Sequence, residues 1–216
     1  MNLSLLHLCD SLFPVGSFAY SDGLESATTD GRVRTPEDLR EWIDVCLDET
    51  IGRMDGPAVW QAWAATRDQD WNALDALDEE LRALRPSSAG RKSSSTMGQR
   101  LLMTWRAIHP GALADAPTVH ALPTAFAIVC ASANIDRRDA LDAYAYTRLA
   151  ATVSGAMRLI PIGQTDAHAL LARTLDRVPE VADGIVRRDG RIESFTPALD
   201  IAAMTQQYVH SRLFRS

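Results

Sequence analysis

The chain has only three cysteines in 216 residues, few aromatics (6%), and no apolar run near the roughly 18 residues that a membrane span needs. Cys9, Cys46 and Cys130 are odd in number and widely spaced in apolar surroundings, which excludes a disulfide framework and a Cys-x-x-Cys site. They read as buried free thiols in a reducing compartment, and the expected location is the cytoplasm. The first ten residues have no basic n-region, and His7 and Asp10 break their apolar run, so they do not read as a signal peptide. A basic excess is also missing. Lys and Arg number 22 against 28 Asp and Glu, the net charge is -6 and the pI is near 5.3. That excludes a broad cationic footprint, so neither nucleic acid nor membrane is an expected partner.

What is present is a globular mix, 46% hydrophobic and 23% charged, with enough apolar material for a sizeable core. One domain over residues 1–216 is expected. Thr35-Pro36-Glu37-Asp38 offers a capping hydroxyl, a proline at the first helical position and acids in the first turn. Behind it Leu39, Trp42, Ile43, Cys46, Leu47 and Ile51 recur at helical steps, with Gly52 able to close the helix. Further helices are expected from Asp55, over Asp70–Arg85, from Met97 to about Ile108, over 118–133, from Asp136 to about Ile160, and near 165–177 and 197–207. The Leu74, Leu77, Leu81 and Leu84 stripe places Asp75, Asp78, Glu79 and Glu80 mostly on the other side. The serine-rich stretch 86–95 reads as a flexible loop. No segment shows the period-2 alternation of a sheet. The expected fold is an all-α, single-domain bundle of about ten helices.

Chemical motifs are scarce. Gly90-Arg91-Lys92-Ser93 ends like a phosphate loop, but the glycine required five residues earlier is Arg85 and no strand precedes it. His7, His109, His120, His168 and His210 are scattered, with no i, i+4 pair, so no metal ligands are assigned. There is no Gly-x-Ser-x-Gly, and Asp44/Asp48 and Asp75/Glu79 read as solvated faces. No catalytic residue is assigned. A competing reading is an α-helical metal-dependent hydrolase assembled from His7, His120 or His168.

Two segments stand out. Phe13-Pro14-Val15-Gly16-Ser17-Phe18-Ala19-Tyr20-Ser21-Asp22-Gly23-Leu24-Glu25 packs two glycines, a proline and three aromatics between helical stretches. It reads either as a kinked turn with Phe18 and Tyr20 in the core or as a partner-facing loop ending at Glu25. The C-terminus, Tyr208 to Ser216, sets Leu213 and Phe214 between Arg212 and Arg215, a pattern suited to ordering on a partner.

These segments resemble the urease accessory protein UreF family. Pro14-Val15-Gly16-Ser17-Phe18-Ala19-Tyr20-Ser21-Asp22-Gly23-Leu24-Glu25 is similar to the family's N-terminal Pro-(Val/Ile)-Gly-(Gly/Ser)-(Phe/Tyr)-x-x-Ser-x-Gly-(Leu/Ile)-Glu pattern. Arg158-Leu159-Ile160-Pro161-Ile162-Gly163-Gln164 resembles its basic residue followed by Pro-Leu-Gly-Gln, and Ser211-Arg212-Leu213-Phe214-Arg215-Ser216 its terminal Ser-Arg-Leu-Phe-x-Ser. The chain departs from the pattern at Gln206-Gln207, where His-Glu is common, at His210, at Ala151, and in carrying arginine rather than lysine at 158.

The resemblance implies an all-α, non-catalytic chaperone that often dimerises. Such a protein binds UreD (also called UreH), recruits the nickel-binding GTPase UreG, and serves nickel delivery to apo-urease while binding no cofactor tightly itself. It marks Gly16, Phe18, Tyr20, Glu25, Arg158, Arg212, Leu213 and Phe214 as partner-binding positions. Glu25 and Arg158 match family sites linked to partner control, and Arg212, Leu213 and Phe214 match the UreD-docking tail. On the residues alone, Glu25 and Arg158 can also be read as ordinary surface or cap charges.

Overall fold

The structure, a computed structural model, describes residues 2–113, 117–119, 121–210 and 213–215. Among them the chain is helix after helix with no strand, as the periodicity requires. Its helices are α1 (Leu3–Cys9), α2 (Leu24–Thr29), α3 (Pro36–Val45), α4 (Gly56–Asp68), α5 (Trp71–Leu84), α6 (Ser88–Ile108), α7 (Leu122–Ser132), α8 (Arg137–Ala156), α9 (Gln164–Leu175), α10 (Val178–Arg187) and α11 (Pro197–Thr205). Single 3-10 turns occupy Ser17–Ala19 and Gln206–Tyr208.

The centre is α7, whose residues from Leu122 to Ala131 are all buried, against α4, α6 and α8. It has no capping side chain of its own, so other helices satisfy its first N–H groups. The buried Asp78 of α5 accepts from Ala121 N at 2.9 Å and from Thr124 Oγ1 at 2.5 Å, and Ser94 Oγ accepts from Leu122 N at 3.0 Å. Asp78 therefore faces inward rather than lying off the apolar stripe. A second cluster joins α2, α3, α9 and the C-terminal half of α8 through Leu24, Leu39, Ile43, Leu149, Val153 and Leu170.

Three expectations about local structure are corrected. Gly52 does not end a helix: Cys46–Asp55 runs on as a π-helix that joins α3 to α4. The wide turns accommodate Pro57, which has no N–H to give the carbonyl of Arg53; Glu193 N takes that carbonyl instead, at 2.8 Å. Gly56 permits the crossing, because a Cβ there would lie 2.5 Å from Ile51 O and 2.7 Å from Ile185 Cδ1. The serine-rich segment is not a loop either. Ser87 caps α6 by accepting from Gly90 N at 3.1 Å, and Ser93 and Ser94 are buried. Serine is a weak helix former, yet here it caps one helix, caps another and allows close packing. Asp44 and Asp48 are also more than a solvated face, since both bind Arg177 at the start of α10, at 2.6 and 2.7 Å.

Candidate functional site

The first and third motif segments meet at Glu25. Gly23 caps α2 with φ 91°, and a Cβ there would stand 2.7 Å from Ala203 N, so only glycine lets this turn lie against α11. The turn sends the Glu25 side chain inward, leaving the residue 2% exposed. A buried carboxylate must be satisfied by donors. Glu25 Oε1 accepts from the backbone N–H of Leu213 at 2.5 Å, and Oε2 accepts from Gln206 Nε2 at 2.6 Å and, more weakly, from Phe214 N at 3.4 Å. Gln206 Oε1 in turn accepts from Ser26 N at 3.3 Å and from Ser21 Oγ at 3.2 Å.

The second segment closes the same site from the end of α8. Arg158 Nη1 donates to Phe18 O at 3.0 Å, and its guanidinium lies 4.1 Å from the centre of the Phe214 ring. Phe214 is 3% exposed, a Cβ added at Gly155 would lie 3.6 Å from its ring, and Arg215 N donates to Ala19 O at 2.8 Å. The tail is thus held by one carboxylate, one backbone bond to the 16–20 turn and one buried ring under a cation.

The structure brings most of the expected site residues together but gives them different roles. Phe18 is 62% and Leu213 63% exposed, and Arg158 is exposed as well, so these three face outward. Phe18 is therefore not a core residue, and Tyr20 is half-buried. Glu25, Gly16 and Phe214 are buried, so Glu25 is no exposed loop-end contact but an internal clamp on the chain's own tail. Arg212 and His120 lie outside the described residues. His7 and His168 are exposed on α1 and α9, and among the described residues no group of three or more His, Cys, Asp or Glu could hold a metal.

Sequence reading missed a second polar cluster beside this site. Buried Asp55 accepts from Tyr144 Oη at 2.7 Å and pairs with Arg85; Arg148 of α8 pairs with Asp22, which holds φ 48° in the turn before Glu25. Burial, reinforced by Asp55, pushes the Tyr144 hydroxyl well above its ordinary range. Burial likewise pushes the Cys46 thiol up to about 12, with Asp22 adding to the shift. For Arg148 burial opposes the charge, but Asp22, Tyr144, Asp55 and Cys46 together outweigh it and hold the guanidinium protonated. These groups line a pocket of about 100 Å³. Tyr144 and Arg148 also line an outer groove of about 670 Å³ between α1, the Ser17–Phe18 turn and α8. The only signal in sequence was the acidic residue at 55 at an apolar helical position.

The UreF family model matches residues 33–175. Proteins named urease accessory protein UreF are similar over nearly the whole chain. The one from Azoarcus sp. is 34% identical over 99% of this chain and 95% of its own length. The one from Methylibium petroleiphilum is 32% identical over 99% and 93%. The chain belongs to the UreF family. The family model stops short of both Glu25 and the tail, whereas the full-length UreF relatives span them, so the clamp falls within the shared length. The departure at Gln206-Gln207 also acquires a physical meaning in this UreF chain. Gln206 is the buried partner of Glu25, while Gln207 is exposed.

Proposed function

We propose that this chain is a non-catalytic component of a urease-maturation complex, bridging UreD (UreH) and the GTPase UreG so that nickel reaches apo-urease. Membership of the UreF family supports the maturation role. The observation that carries the docking role is the convergence of the three motif segments on one site, with Phe18, Arg158 and Leu213 outward and Glu25 and Phe214 holding them from beneath. Exposed apolar side chains cost solubility unless a partner covers them. Leu213, Phe214 and Arg212 contribute to the UreD contact, and Glu25 acts on it by fixing the tail.

The chain handles nickel only transiently, as a scaffold that sets UreG and urease in register and influences GTP hydrolysis without holding a cofactor. It works in the cytoplasm; among the described residues no helix is long and apolar enough to cross a membrane. It acts as a homodimer. Co-expression with UreD and UreG tests the reading. The full chain co-purifies with both, and removal of residues 208–216 abolishes UreD capture while the helical fold persists. Unchanged capture without the tail would refute the docking assignment.

A further inference from the structure

From Leu81 to Ala114 the sequence contains no Asp or Glu, yet it carries Arg82, Arg85, Arg91, Lys92, Arg100 and Arg106, in a chain whose net charge is -6. Most of this acid-free stretch is α6. Lys92 and Arg100 are eight residues apart, hence on one side of the helix, and both are exposed. The Arg100 guanidinium lies against Gly16, where an added Cβ would stand 2.7 Å from Nη1. Arg158 reaches the same turn at Phe18 O. Arg215 bonds it at Ala19 O and lines the recess between Tyr20–Gly23 and the first turns of α6. Among the described residues none of Lys92, Arg100, Arg158 and Arg215 makes an ion pair. Asp22, the acid on that recess, is held by Arg148.

Arg100, Arg158 and Arg215 thus gather around a turn whose Phe18 projects into solvent, with Lys92 exposed on the same helix as Arg100, and among the described residues all four lack an ion pair. Like charges so placed repel one another, and an oppositely charged surface relieves the repulsion and speeds encounter. We infer that this platform docks an acidic polypeptide face of a partner protein, with Phe18 as its apolar centre. The inference deepens the docking role proposed above and rests on it. Four charges on an acidic chain are too few for the extended basic stripe that a nucleic acid requires.

The test uses the full-length chain, purified UreD and purified UreG, with affinity measured at 50 and 300 mM NaCl. At least one partner should bind tenfold or more tightly at the lower salt. The K92E/R100E variant, altered at exposed positions outside the Glu25 clamp, should lose at least tenfold at 50 mM with an unchanged circular dichroism spectrum. The control variant E79K/E80K, on the exposed acidic side of α5, should bind like wild type. Equal binding by K92E/R100E and wild type would overturn the inference while leaving the docking role intact. Failure of wild type to bind either partner would overturn both. Tighter binding to heparin or to phosphatidylglycerol vesicles than to either protein, lost in K92E/R100E, would overturn it in favour of a nucleic acid or a membrane.

Discussion

The guanidinium of Arg158 lies 4.1 Å from the centre of the Phe214 ring, joining the end of α8 to a tail residue whose backbone N–H donates to Glu25. Burying a phenylalanine ring is worth about 1.5–3 kcal/mol. A cation over an aromatic face adds roughly 0.5–1 kcal/mol at an exposed site. These two contacts supply a few kcal/mol, to which the Glu25 and Ala19 hydrogen bonds add. The substitutions below separate local tail docking from global stability.

Glu25→Gln keeps the shape of the side chain but replaces one of its two accepting oxygens with a donating NH2, so either the Leu213 N–H or the Gln206 amide loses its acceptor. Leaving such groups unsatisfied costs about 1–3 kcal/mol. The expected result is faster amide exchange at Leu213 and Phe214 and weaker UreD capture. Exchange at wild-type rates would remove the clamp from the account.

Arg158→Ala should loosen the tail and the Phe18 carbonyl together while changing global stability by less than about 1 kcal/mol, because the side chain is exposed. Arg158→Lys should retain most of the tail protection, since an ammonium still serves the ring. Urea denaturation and exchange at residues 213–215 check the two halves of this expectation. A large global loss in Arg158→Ala would make the residue a core support instead.

Gly23→Ala combines a left-handed φ of 91° with a Cβ 2.7 Å from Ala203 N. Backbone strain of this kind costs about 1–3 kcal/mol, and the collision with α11 adds to it. The denaturation midpoint should fall and Glu25 should lose its register against Gln206. A substitution tolerated without change in midpoint would contradict the packing of the turn on α11.

The thiols set an alkaline limit. Burial raises Cys46 to about 12 and Cys9 to about 11, both from a reference of 9.0. Above pH 9 the unfolded chain loses these protons while the folded chain keeps them, so stability falls as pH rises from 9 toward those values. By pH 10 each thiol should cost about 1 kcal/mol. Urea titrations at pH 8 and pH 10 measure the loss, and Cys46→Ser should shrink it. A pH-independent midpoint would show that the thiols are not buried.

The fold class and most helix positions were legible because their signals are local. The Thr35-Pro36 cap, the Leu74–Leu84 stripe and the stop before Pro86 act within one or two turns. What was illegible depends on distant partners. Ser87 caps α6 within one turn, but Ser94 serves the start of α7, a relation no local window contains. The continuation through Gly52 depends on Glu193 taking the Arg53 carbonyl. The three candidate segments come together in the structure, but the part each residue plays there was not legible. The burial of Glu25 and the importance of Gln206 follow from contacts about 180 residues apart. The Asp55, Tyr144 and Arg148 cluster gave no motif at all.

The most direct test of the central claim is the nickel content and activity of urease co-expressed with its accessory proteins, with and without this chain. The account predicts nickel-poor, inactive urease in its absence and restoration when the wild-type chain is supplied, with Glu25→Gln restoring less. Urease that is fully loaded and active without the chain would contradict it.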